Sequence, residues 1–114
     1  MSARDAVAGH MTEAQLQAAV IECARRLHYD VYHTYTSRRS EPGFPDLVLI
    51  RKDPRIGLPS RFIVAELKAP GGRVSPDQER WLRNFEAMGV PAYVWRPSHW
   101  LSGEIERALR GDEP

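Results

Sequence analysis

Two apolar runs limit how this chain can fold. "DLVLIR" (46–51) and "RFIVAELK" (61–68) are of strand length and nearly continuous in apolar residues, separated by the breaker-rich "KDPRIGLPS" (52–60). Such runs suit strands covered on both faces, as at the centre of a sheet. The short turn between them favours antiparallel pairing. In one natural register Ile50 faces Phe62, Val48 faces Val64 and Asp46 faces Glu66. A slip of one residue would turn every side chain to the other face, and the sequence alone does not forbid it.

The flanking segments read as alternating helix and strand. Thr12 is a good N-cap for a helix to about His28, with Leu16, Val20, Ala24 and Leu27 as its apolar stripe. "VYHTYT" (31–36) reads as a short strand and "SRRSEPGFP" (37–45) as a loop. After "APGGRV", Ser75 caps a second helix, Pro76 takes its first position and Gly89 closes it, with Trp81, Leu82, Phe85 and Met88 as the buried face. "VPAYVWR" (90–96) is a fourth strand, and a short helix from about 98 to 110 follows. The expectation is one α/β domain over 1–114, an αβββαβ core of mixed sheet and flanking helices plus a short C-terminal helix. Residues 1–10 and 111–114 are expected to fray.

Several function classes drop out early. No stretch approaches the roughly 20 apolar residues of a membrane helix, and the N-terminus lacks the apolar core of a secretory signal. The lone cysteine, Cys23, excludes an internal disulfide and any multi-cysteine metal site, which points to a reducing, cytoplasmic setting. Neither a membrane nor a small-molecule cofactor is expected as a partner. Fourteen of the sixteen basic residues are Arg. Arg suits phosphate, but a GC-rich genome gives the same bias, so composition decides nothing here.

The two central strands carry an anomaly. Side chains alternate along a strand, so Glu66 and Lys68 share one side, and the register above sets Asp46 opposite Glu66. Like charges facing each other destabilise a hairpin. A proton on one carboxyl, a salt bridge from Lys68, or a divalent cation between the acids would each relieve the repulsion. Mg²⁺ takes oxygen ligands, often one or two carboxylates with waters and substrate phosphate. Asp46, Glu66 and the Leu67 backbone carbonyl would supply such a site. A metal activates water and polarises a phosphoryl group, and a lysine there stabilises developing negative charge.

"GFPDLVLI", "AELK", "APGGRVSPDQERWL" and "GVPAYVW" together resemble the VRR-NUC domain of the PD-(D/E)xK nuclease superfamily, from about Thr12 to Leu109. The resemblance implies a restriction-endonuclease-like core and Mg²⁺- or Mn²⁺-dependent phosphodiester hydrolysis in DNA. It implies metal-binding roles for Asp46 and Glu66, a catalytic role for Lys68, and site roles for Gln78 and Glu13. Short stand-alone members resemble Holliday junction resolvases. A homodimeric endonuclease on branched DNA is therefore expected, in repair or recombination inside a bacterial or phage-infected cell. The alternatives are a non-catalytic nucleic-acid-binding module, or a nuclease for flaps or RNA. Restriction would be expected to need a target-recognition domain for which 114 residues leave no room.

The supporting residues each have an ordinary explanation too. Glu13 falls on the inward stripe one turn before Leu16, yet an acid in a first turn also complements the helix dipole. Gln78 completes a capping box with Ser75, at a helix start whose amides can face a phosphate. Arg38, Arg39 and Arg73 are candidates for the DNA backbone, and surface solvation explains them equally well. His33 and Tyr35 share a strand face directed either to the cleft or to the core.

Overall fold

The computed structural model describes residues 2–35 and 41–112. Four strands, β1 (Tyr29–His33), β2 (Leu47–Lys52), β3 (Pro59–Leu67) and β4 (Ala92–Trp95), form one sheet in the order β1-β2-β3-β4. β1, β2 and β3 are antiparallel neighbours, and β4 runs parallel to β3. Val48 lies opposite Val64 and Ile50 opposite Phe62, the register expected from the apolar pattern. The β2–β3 ladder ends at Leu47–Ala65, so Asp46 stands one residue beyond it.

Period-2 alternation divides β2 and β3 between two layers. Leu47, Leu49, Ile63, Ala65 and Leu67 are fully buried on one face. They pack there with Leu16, Val20 and Ala24 of α2 (Glu13–Arg26) and with Ile105 and Leu109 near the C-terminus. Truncating one such leucine costs about 2–5 kcal/mol. The opposite face, bearing Phe62, Val64 and Glu66, is covered by α3 (Pro76–Ala87), whose Phe85 ring lies 6.3 Å from that of Phe62. Met88, expected in that layer, is 81% exposed because it caps α3 instead of lying on its inner face.

Other departures have local causes. Residues 3–10, expected to fray, form α1 (Ala3–His10), which packs on α4 (Pro97–Leu101). The last helix is two: Gly103, at φ 86°, separates α4 from α5 (Glu104–Arg110). β1 begins two residues earlier than its expected start, because His28 takes the left-handed conformation (φ 70°) just after α2 and reverses the chain at once. Tyr29 then reaches the end of α5, where its hydroxyl donates to the Leu109 carbonyl at 2.8 Å. Arg61 donates to the Ala108 carbonyl at 2.7 Å and Arg51 to that of Leu109 at 3.3 Å. Three side chains thus satisfy carbonyls that a helix end leaves open. No helix among the described residues is long and apolar enough to cross a membrane.

Candidate active site

Asp46 is placed by the loop before it. Pro45 is fully buried. Phe44 packs edge-on against Trp81 of α3 at 5.1 Å, and the Trp81 indole N–H donates to the Pro42 carbonyl at 3.2 Å. Gly43 brings the loop against the start of α3. A Cβ there would lie 2.6 Å from the Asp77 carbonyl oxygen and the Gln78 amide nitrogen, at a φ of 86° that L residues avoid. Gly43→Ala is therefore expected to lower stability by about 2–4 kcal/mol, the sum of left-handed strain and overpacking. Gly71 has similar φ (77°) with open space around its Cβ position, so Gly71→Ala incurs the strain alone. Urea melts of both variants separate the two effects; equal losses would mean that close packing of this loop is unimportant.

At the end of the sheet the acidic and basic groups converge. The Leu67 amide N–H donates to Asp46 Oδ2 at 2.8 Å, fixing that carboxylate across the end of the ladder. Glu66 is 3% exposed. Its Oε1 accepts from Gln78 Nε2 at 3.1 Å and lies 3.8 Å from Lys68 Nζ. Its Oε2 is enclosed and has no protein donor. Burial, then a shared hydrogen with Asp46 and the charges of Asp46 and Glu13, push the Glu66 carboxyl up to about 8 from 4.5, against the opposing pull of Lys68. Neither carboxylate can donate without a proton, so Oε2 remains unpaired while both are ionised.

Gln78 does two jobs with two ends of one amide. Its Oε1 accepts from the Ser75 amide at 2.8 Å, closing the capping box, while Nε2 holds Glu66. Glu13, first residue of α2, feels the same cluster: burial, then Asp46, raise its carboxyl above the usual range, and Lys68 pulls it back. Asp46, Glu66, Lys68, Gln78 and Glu13 thus meet in one region. Arg73 is exposed in the β3–α3 loop, and Arg38 and Arg39 lie outside the described residues.

The donor chemistry fits a hard divalent cation. Two carboxylates meet, Glu66 buried and Asp46 half-buried at the edge of a pocket, and one enclosed Glu66 oxygen lacks a donor. No three His, Cys, Asp or Glu side chains among the described residues stand together as a ready metal cage. A two-carboxylate set completed by main-chain oxygen, water and phosphate is the habit of Mg²⁺, and unlike a closed structural zinc site.

A pocket of about 360 Å³ opens beside Asp46, lined by Glu13, Gln17, His33, Thr34 and Tyr35. Gln17 and Thr34 were not singled out from sequence. The available signal was helical spacing: Gln17 lies one turn after Glu13 and faces the same way. The Thr34 amide donates to the Asp46 carbonyl at 3.0 Å, tying the pocket wall to the site.

Over 57 residues, 50% of this chain, the sequence is 40% identical to the Fanconi-associated nuclease 1 homolog of Caenorhabditis elegans. That match covers only 6% of the relative's length. No solved structure matches the chain. The VRR-NUC domain family pattern matches residues 5–98, which take in β1 to β4, α2 and α3, and the chain belongs to that family of nuclease domains.

Proposed function

We propose that the chain is a divalent-metal-dependent DNA endonuclease, acting inside the cell as a homodimer on branched DNA such as Holliday junctions. The observation that carries the reading is the convergence at one sheet end of Asp46, Glu66 and Lys68, with Lys68 Nζ 3.8 Å from Glu66 Oε1. Asp46 and Glu66, with the Leu67 carbonyl, would hold one Mg²⁺ or Mn²⁺, and Glu13 would serve an outer position or a second ion. When bound, such an ion supplies Lewis-acid polarisation of the phosphoryl group and a lowered pKa for water.

The chain's own residues supply the rest. Leu67 and Gln78 hold the two carboxylates in fixed orientations, so little reorganisation is needed as charge develops. Lys68, its side chain 15% exposed, keeps an ammonium beside the reacting phosphate in a setting where water screens it weakly. Its charge stabilises the negative charge that gathers on the phosphoryl oxygens. Arg38, Arg39 and Arg73 would grip the flanking DNA backbone without reading sequence.

A cleavage panel with Mg²⁺, Mn²⁺ or EDTA tests this reading on single strands, duplex, flaps and four-way junctions, with solution mass measured alongside. Endonucleolytic cuts that need the metal and favour junctions, by a dimer, are expected. DNA binding unaffected by EDTA and no cleavage under any condition would instead indicate a binding module.

A further inference from the structure

We propose that His33 and Tyr35 form a stacking platform for an unpaired nucleobase next to the phosphate to be cut. The inference rests on the nuclease reading above and deepens it. Tyr35 is 90% exposed, so its ring is open to a ligand. Its ring packs 4.3 Å from that of His33, which stiffens it and leaves its outer surface open. Both rings line the pocket that Asp46 and Glu13 close from the other side. The strand end thus directs both side chains to the cleft.

Charge decides what part of a nucleic acid enters. An ion held at Asp46 and Glu66 would draw the scissile phosphate to itself and to Lys68, so the sugar–phosphate backbone is engaged there and not at the His33–Tyr35 wall of the pocket. What remains is the base, neutral and planar. The rings offer it a π surface, and Gln17 and Thr34 offer amide and hydroxyl groups to its edge. A volume of about 360 Å³ lies at the low end for small-ligand pockets and is room enough for a nucleobase. In a continuous duplex both faces of each base are already stacked. An unpaired nucleotide at a nick, flap or branch has a face to give. The platform would therefore favour cutting beside unpaired nucleotides.

The test uses full-length protein carrying Lys68→Ala, so that DNA is held without being cut, and oligonucleotides with 2-aminopurine unpaired at a branch or paired in duplex. Binding should quench the unpaired probe. Adding Tyr35→Ala should abolish the quench and lower the ratio of branched to duplex affinity about 5- to 100-fold, the range for losing one base stack. Tyr35→Trp should restore both. Tyr32→Ala, an exposed tyrosine of β1 outside the pocket, should leave the ratio unchanged. Loss of affinity for both DNAs in equal measure, or quenching that survives Tyr35→Ala, overturns the platform while metal-dependent cleavage by the wild type still stands. A wild type that cuts nothing removes the platform together with the nuclease reading.

Discussion

Lys68→Ala is expected to keep its fold and its hold on DNA while losing cleavage by about 10²–10⁴-fold, the range for a charge stabiliser or a proton-transfer group. The fold survives because the Lys68 amide, not its side chain, makes the backbone bond to the Trp95 carbonyl at 3.0 Å. The lost ammonium was 3.8 Å from Glu66, and that carboxyl can offset the loss by holding a proton. Lys68→Arg should restore only part of the rate, since a planar guanidinium is broader and more weakly hydrated than an ammonium. Circular dichroism, a DNA-binding titration and single-turnover cleavage in Mg²⁺ together decide. Wild-type cleavage by Lys68→Ala would refute the proposed mechanism.

Glu66→Gln should separate stability from activity. Burial and the neighbouring Asp46 hold the Glu66 carboxyl near 8, against 4.5 ordinarily. Between those values the folded chain keeps a proton that the unfolded chain has released. Its contribution to metal-free stability is therefore full below 4.5 and declines as pH rises toward 8. Glu13, shifted in the same direction, adds to the slope. Glutamine imitates the protonated acid at every pH: its oxygen can accept from Gln78 and its amide can donate to Asp46. Thermal melts of Glu66→Gln should thus be flatter with pH, and at pH 8 the variant should melt no lower than the metal-free wild type. Mg²⁺ should raise the melting temperature of the wild type, increasingly so at high pH because ligand carboxylates must be ionised. It should do nothing for Glu66→Gln, which should not cut DNA. A variant whose stability falls as steeply with pH as that of the wild type would place the titrating group elsewhere.

Much of the fold was legible because two strands carry unbroken apolar runs; their register, Val48 against Val64, is a choice the apolar pattern offered and the ladder makes. The caps at Thr12 and Ser75 were equally plain, since a hydroxyl followed three residues later by glutamine is a local signal. What escaped depends on distant contacts. Nothing in "ARDAVAGH" marks a helix as strongly as the surface of α4 that it covers. The early start of β1 turns on a left-handed His28, a position where glycine would have announced itself. Gln78 invited a choice between cap and site because sequence does not reveal that its two amide ends face different neighbours. His33 and Tyr35 could not be oriented while the end of their strand was unknown; β1 stops at His33, and the two rings meet beyond it.

Mn²⁺ binding followed by electron paramagnetic resonance tests the shared-ion site most directly. The wild type at pH 8 should take up Mn²⁺ with a saturable loss of the free-ion signal, and Asp46→Ala and Glu66→Gln should each weaken that uptake by about 10-fold or more while remaining folded. Uptake by both variants equal to that of the wild type would mean that the two carboxylates meet for some other reason.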